Sequence, residues 1–476
     1  MTDFTAPSAP DVDAAAFAAH AAFARYGASD AATRATLLRG LAEALETHRD
    51  RLVPLADEET CLGLARLNGE LDRTAFQLRG FAVQVEQGAA SVATDDPAVP
   101  GAPPVGHPHL LRVRVPLGPV AMFAASNFPF AFSVLGGDTA SALAAGCPVV
   151  VRAHSGHPRL SREVAALASA MVAAQGLPAG VFGLIDRHGN EVGAALVAHP
   201  LIAAAAFTGS VRGGLALEKV AQSRERPIPF FGELGSVNPV VALPAALAAN
   251  GAELAKGLAG SITVGCGQFC TSPGVILVPA GAAGDAFVAT LVDALRLVPT
   301  HAMLTPHMRA GFEAGCAAWA AHPHLQPLLA DCAADGEPPR PFLAQVDGAT
   351  FIASKHLHEE VFGPAALVVR VTGTDQAIEA LQAVGGTLTV TIWGADEASE
   401  ANAALVHAAT QVAGRVLFAG FPTGVAVTAG QQHGGPFPAS TQPGTTSVGW
   451  AALDRFLRPV ALQEAPAWLL ARHGTV

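Results

Sequence analysis

The chain reads as an α/β protein made of two doubly wound units in series, with a small β extension. Three observations predict this. From 119 to 233, short apolar strand candidates alternate with helical stretches, the pattern of a parallel sheet covered on both faces. A second alternation of the same kind runs on to about 419. The 476 residues are too many for one core and suit two or three domains.

Taken in order, residues 12–90 read as helices, with Ala-rich periodic stretches carrying Arg and Glu on the other face, as in Ala31 to Glu46. Residues 91–108 are a Pro/Gly-rich connection, and His109–Val115 alternates as a short outlying strand should. The first unit offers strands at Val120–Ala125, Pro148–Arg152, Val181–Ile185, Ile202–Phe207 and Pro229–Glu233. Helices are expected between them at 132–145, 160–175, 190–198 and 211–222. The second offers strands at Pro239–Ala242, Val275–Pro279, Ala366–Val371, Leu388–Trp393 and Val416–Ala419, with helices near 250–264, 284–296, 374–383 and 396–409. Residues 433–449 are rich in Gly, Ser, Thr and Pro and read as irregular, before a short helix near 450–456 and a strand near 458–464.

Composition narrows the function. Hydrophobic residues make up 51% and charged residues 14%, so large cores can form, and the 49 Gly and 35 Pro are dispersed as in a loop-rich enzyme. The net charge of −11 comes without any basic stripe, which argues against a nucleic-acid partner. Apolar runs are short and broken, so no membrane span is expected, and Met1 to Pro7 lacks the pattern of a secretory signal. Six cysteines (61, 147, 266, 270, 316, 332) form no disulfide framework, which points to a reducing compartment, the cytoplasm. His154 and His157 lack the further ligands of a zinc site, so no metal is expected.

Several motifs carry chemistry. Cys270 lies in Gly265-Cys-Gly-Gln-Phe-Cys-Thr271, where small neighbours let a substrate approach the thiol, and Glu233 in Phe231-Gly-Glu-Leu-Gly235 offers a separate base. A free cysteine is also often a packed core residue. Asn127, in Ser126-Asn-Phe-Pro129 after a strand, is an oxyanion donor or simply a turn former. Arg152 at the end of another strand is a cation for ribose or phosphate, or a solvated strand end. Phe207-Thr-Gly-Ser210 leads into a helix whose N-terminus favours a pyrophosphate, although Gly-Ser is equally an ordinary N-cap and no GxGxxG is present. Glu359-Glu-Val-Phe-Gly-Pro364 places a carboxylate and an aromatic ring before a strand, for a ribose and a flat ring or for a turn anchored by a buried Phe.

Together and in this order, these segments resemble the aldehyde dehydrogenase superfamily from about residue 15 to the end. Within it the chain is similar to the NADP-preferring α-ketoglutaric semialdehyde (2,5-dioxovalerate) dehydrogenases. The segments that carry this are Phe128–Ser133, Gly136–Gly146, Glu233–Pro239, Gly267–Gly274, His433–Ala439 and Arg455–Pro459. The resemblance implies Cys270 as nucleophile, Asn127 and the Cys270 N–H as oxyanion hole, and Glu233 as the base for thioester hydrolysis. It implies Glu360 and Phe362 at the nicotinamide, Gly209 and Ser210 at the pyrophosphate, and Arg152, Ser155 and Gly189 toward the adenosine. Two departures stand out. Arg152 occupies the family's usual Lys, in a chain with only three lysines. Ser155 stands where NAD-specific members often carry Glu, so NADP is expected to be preferred with NAD accepted, aided by His154, His157 or Arg159.

The resemblance further implies a cofactor-binding domain from 1–107 and 117–234, a catalytic domain from 235–432, and bridging segments at 108–116 and 433–476. The latter would pair strands such as 109–115 and 458–464 across subunits of a homodimer or homotetramer. The expected substrate is a small carboxylate-bearing semialdehyde, with Arg455, Ser272 and Thr271 as candidates for its carboxylate. Fatty or other aldehydes, and a non-catalytic binding role, are the competing readings.

Overall fold

The computed structural model describes residues 10–331, 333–334 and 336–472. Met1–Pro7 and Cys332, which entered the readings above, lie outside them.

The first sheet has five parallel strands in the spatial order Phe182–Ile185, Val149–Arg152, Val120–Phe123, Ala204–Thr208, Phe230–Glu233. Val120–Met122, Val149–Val151 and Ala204–Ala206 are buried, as strands covered on both faces must be. The chain steps outward from Val120–Phe123 in one direction, then returns to its other side. That reversal is where open α/β sheets bind ligands, beyond the carboxyl ends of the strands. Asn127 follows the central strand there, and Gly209 and Ser210 follow its neighbour.

The helix expected from 132 starts only at Gly137. The preceding turn is held by Glu70, whose Oε1 accepts the N–H groups of Phe130 (2.8 Å) and Ala131 (3.0 Å). Glu70 belongs to the 23-residue helix Leu64–Glu86, which packs on the Asp30-capped helix Ala31–Thr47. Arg66, Glu70, Arg73 and Gln77 follow i, i+4, i+7, i+11 spacing and so share one face of it.

The second sheet has seven strands, ordered Gln326–Leu329, Phe342–Asp347, Ala365–Val371, Val275–Pro279, Val240–Ala242, Thr387–Trp393, Ala413–Leu417. All pairs are parallel except the first. Sequence reasoning placed five of them. It assigned nothing to the helix Pro306–Ala320, to Gln326–Leu329 or to Phe342–Asp347. Two glycines interrupt that helix pattern, and prolines flank or enter both strands.

A third, antiparallel sheet joins Thr94–Asp96, Leu110–Pro116 and Leu457–Gln463. The two strands expected to pair across subunits pair with each other inside one chain, from Leu457 against Pro116 to Gln463 against Leu110, and Leu457–Gln463 forms an edge of this sheet. Residues 433–449 are irregular between these parts, and they fold back over the end of the first sheet. Leu234 N–H donates to Ala439 (2.8 Å), and Glu233 bridges to Ser440.

Just beyond that segment, Arg455 bonds Asp138 at 2.6 Å, with both residues under 10% exposed. This pair ties the tail to the helix Gly137–Ala145. Replacing Asp138 by Ala leaves a buried guanidinium without its counter-charge, and urea unfolding should show a loss of about 3–5 kcal/mol.

Candidate active site

The loop carrying Cys270 is set by three successive left-handed residues, Gly265 (φ 57°), Cys266 (φ 58°) and Gly267 (φ 66°). For Cys266 this conformation costs about 1–2 kcal/mol, a cost the surrounding packing must offset. Gly267 is required for a second reason. A Cβ there would lie 2.2 Å from the carbonyl carbon of Gly363, so the cysteine loop is pressed against the Glu360–Phe362 loop.

Asn238, buried and itself left-handed at φ 46°, locks the other side. Its amide donates to the carbonyls of Cys270 (2.8 Å) and Ser272 (2.9 Å). Its Oδ1 accepts from Ser236 (2.8 Å) and Thr389 (3.1 Å). Sequence reasoning gave Asn238 no role, and its place in Glu233-Leu-Gly-Ser-Val-Asn-Pro239 was the only signal.

Cys270 Sγ lies 3.5 Å from His433 Nε2, and that nitrogen lies 2.9 Å from Glu233 Oε1. The Ser447 hydroxyl donates to Glu233 Oε2 and also to the His433 carbonyl. Cysteine, histidine and carboxylate thus meet at one point, brought there by the irregular tail. His433 was legible only as part of a resembling segment, because nothing local marks it as a neighbour of residues 163 and 200 positions away.

Burial opposes ionisation of Glu233. The charge and hydrogen bond of His433, the Ser447 hydroxyl and the nearby Arg455 outweigh it and hold the carboxyl below its ordinary range. Cys270 goes the other way. Burial pushes its thiol well above the ordinary value, and the charges of Glu233 and Glu360 push it further. At rest the sulfur therefore keeps its proton beside an ionised acceptor. The ligand atoms of Cys270, Glu233 and His433 lie within 4.8 Å of one another, the one group among the described residues that could also gather round a cation.

Asn127 donates its amide to the Gln268 carbonyl at 3.0 Å, two residues before Cys270. Its own carbonyl accepts from Arg66 at 2.6 Å. The structure thus brings Asn127, Cys270 and Glu233 into one site.

The residues assigned to a cofactor gather along the ends of the first sheet. Arg152 is not a solvated strand end: its Nη2 reaches the Gly189 carbonyl at 3.3 Å and its Nε is buried without a partner. Ser210 caps the 13-residue helix Val211–Ser223, accepting from Gly213 N–H at 3.2 Å, and Gly209 N–H bonds the Glu233 carbonyl at 3.1 Å. Glu360 and Phe362 line a cleft with Ser236, Gly267 and Ser272. The Glu360 carboxyl is turned inward, and burial pushes it up to about 8. At Gly235 a Cβ would meet Glu360 Oε2 at 2.7 Å and Val211 Cγ2 at 3.0 Å, so backbone alone separates that carboxyl from the helix start. A helix N-terminus at the end of the sheet, an unpartnered guanidinium N–H and an inward carboxyl fit a dinucleotide.

Two expectations fail. His154, His157 and Arg159 do not form a cationic patch around the exposed Ser155. Burial, then the neighbouring His157 and Arg152, pushes His154 down to about 3. Burial also lowers His157, whose ring bonds the Ala125 carbonyl and Ser161. Arg159 turns to Glu58 (2.8 Å) and Glu59 (3.5 Å). Arg455 is committed to Asp138, with its guanidinium 5.0 Å from the Phe456 ring centroid, and so is not a substrate contact. The hydroxyls of Thr271 and Ser272 are buried and unpartnered.

The aldehyde dehydrogenase family model matches residues 1–312. The chain belongs to that family. It is 44% identical over 467 residues to the alpha-ketoglutaric semialdehyde dehydrogenase 2 of Azospirillum brasilense, covering 97% of this chain and 88% of that one. It is 42% identical over 475 residues to the alpha-ketoglutaric semialdehyde dehydrogenase of Acinetobacter baylyi, covering 98% and 89%. Its fold matches the crystal structure of the apo betaine aldehyde dehydrogenase of Staphylococcus aureus with a TM-score of 0.79 at 21% identity, over 97% of this chain and 89% of that one. As an aldehyde dehydrogenase the chain is an NAD(P)-dependent oxidoreductase of aldehydes. Among the described residues no helix is long and apolar enough to cross a membrane.

In this aldehyde dehydrogenase the negative charge of Glu233 raises the Cys270 thiol, so removing it moves thiolate formation to lower pH. For Glu233→Gln, the midpoint of Cys270 alkylation by iodoacetamide should move to lower pH. An unchanged midpoint would show that the two groups do not feel each other.

Proposed function

We propose that this aldehyde dehydrogenase oxidises a short semialdehyde bearing a carboxylate to the acid, best read as α-ketoglutaric semialdehyde to 2-oxoglutarate, with NADP preferred and NAD accepted. The observation that carries the chemistry is the meeting of Cys270, His433 and Glu233, with His433 Nε2 3.5 Å from Cys270 Sγ and 2.9 Å from Glu233 Oε1. The substrate reading rests on the two semialdehyde dehydrogenases that are 42–44% identical over nearly the whole chain.

In this reading the Cys270 thiol yields its proton to Glu233 and its sulfur attacks the aldehyde carbon. Asn127 and the Cys270 N–H hold the oxyanion of the thiohemiacetal. NAD(P), when held by the residues below, would supply the hydride acceptor, leaving a thioester on Cys270. Glu233 then passes that proton to solvent and, oriented by His433 and Ser447, takes one from the attacking water; the carbon–sulfur bond breaks, the sulfur regains its proton from Glu233, and the acid is released. Glu360 and Phe362 hold the nicotinamide end; Gly209 and Ser210 receive the pyrophosphate. Arg152, Ser155 and Gly189 serve the adenosine end. No metal takes part, since a cation at Cys270, Glu233 and His433 would consume both nucleophile and base.

Residues 1–107 with 117–234 form the cofactor domain, 235–432 the catalytic domain, and 108–116 with 433–476 the bridging segments. The exposed edge of Leu457–Gln463 supports a homodimer or homotetramer. The cytoplasm is the assigned compartment.

Purified protein should reduce NADP quickly with α-ketoglutaric semialdehyde, more slowly with succinic semialdehyde and hexanal, and not at all as Cys270→Ala. Activity with hexanal alone would overturn the substrate reading and leave the mechanism. For Ser155→Glu, a carboxylate beside the adenosine 2′-phosphate should lower the NADP-to-NAD ratio of kcat/KM by about tenfold or more. A ratio that stays put would place cofactor choice elsewhere.

A further inference from the structure

Two arginines near Cys270 hold charge that no acidic group neutralises directly. Arg73 projects from the buried polar face of Leu64–Glu86, and Arg415 from the strand Ala413–Leu417. Neighbouring carbonyls of one loop fix both. Arg73 Nη1 donates to Val425 (2.5 Å), while Arg415 Nη1 and Nη2 donate to Gly424 (2.6 Å) and Pro422 (2.5 Å). After these bonds, Arg73 Nε and Nη2 and Arg415 Nε remain buried with no hydrogen-bond partner. Neither arginine makes an ion pair among the described residues.

Arg73 connects to the reactive sulfur through two rings, and Arg415 is held by the same loop as Arg73. The Arg73 guanidinium lies 5.9 Å from the Phe132 ring centroid, Phe132 lies 6.5 Å from the His433 ring, and His433 touches Cys270. Burial lowers both guanidiniums, and a Cys270 thiolate would raise each in return. Glu70, the acidic group felt by Arg73, commits Oε1 to the N–H groups of Phe130 and Ala131. Burial, against the opposing charge of Arg66, pushes its carboxyl up to about 7, so it is a weak counter-charge. Buried guanidinium N–H groups without acceptors are costly unless a ligand supplies the acceptors. The free Nε and Nη2 edge of Arg73 and the free Nε of Arg415, both arginines held by one loop, offer the donors that a carboxylate's two oxygens accept.

We propose that Arg73 and Arg415 form the subsite that binds the substrate's carboxylate while Cys270 takes its aldehyde, which makes short aldehydes with a terminal carboxylate the favoured class. The inference rests on the semialdehyde reading above and supplies the residues it lacked.

The test uses Arg73→Gln, Arg415→Gln and their Lys counterparts, each first checked for an unchanged melting temperature. With NADP, the ratio of kcat/KM for succinic semialdehyde to that for butanal should fall about 10- to 100-fold in each Gln variant, the size of a lost charge-assisted hydrogen bond, and recover in part with Lys. Equal losses for both aldehydes, or no loss, would overturn the subsite. A second readout needs no turnover. Alkylation of Cys270, followed by mass spectrometry, should favour iodoacetate over iodoacetamide relative to free cysteine, and both Gln variants should lose that preference. The thiolate fraction cancels in this ratio. If wild type oxidises no aldehyde yet shows the anion preference, the subsite stands and the oxidation reading fails. If wild type oxidises aldehydes but neither ratio moves in the variants, the subsite fails alone.

Discussion

The site depends on keeping Glu233 ionised where little water reaches it. Burial alone would protonate that carboxyl and leave nothing to accept a proton. A histidine, a hydroxyl and a nearby arginine reverse the outcome, and all three come from the last 44 residues of the chain. In the proposed mechanism the irregular tail is therefore part of the catalytic machinery. Its lack of regular structure lets successive residues turn toward one carboxyl. The Asp138–Arg455 pair and the bridge at Ser440 hold that arrangement against the first sheet.

Cys270 faces the complementary constraint. Its loop must bring a thiol close to the carboxylate without leaving it permanently ionised. Left-handed backbone at 265–267 gives the sharp path, and the contact with Gly363 sets its depth. The two hydrogen bonds from the Asn238 amide fix the main-chain carbonyls of Cys270 and Ser272. A protonated thiol beside an ionised base is a poised pair. In the proposed mechanism the nucleophile forms when the proton moves a short way, and the same base serves the second half of the reaction.

The polar face of Leu64–Glu86 joins these parts to the substrate side. Arg66 holds the Asn127 carbonyl, Glu70 holds the turn that follows, and Arg73 reaches the loop after Ala413–Leu417. One helix thus sets the oxyanion donor and one of the two cations from a single repeat of i, i+4 and i+7 positions. Charges on a buried face are costly, and here each one has a task at the site.

Much of this was legible in the chain. Strand–helix alternation announced the two sheets, because apolar periodicity is a local property. Cys270, Glu233 and Asn127 stood out through their small and turn-forming neighbours. The pairing of 110–116 with 457–463, the roles of His433 and Asn238, and the true partner of Arg455 were not legible, and neither was the neutral state of His154 and His157. Each depends on residues more than a hundred positions apart, or on burial, which a single sequence does not display. The sequence determined by itself which elements form and which groups could react. Only the tertiary structure decided which of those groups meet and which charges survive, because solvent exclusion and long-range contact set protonation and partners.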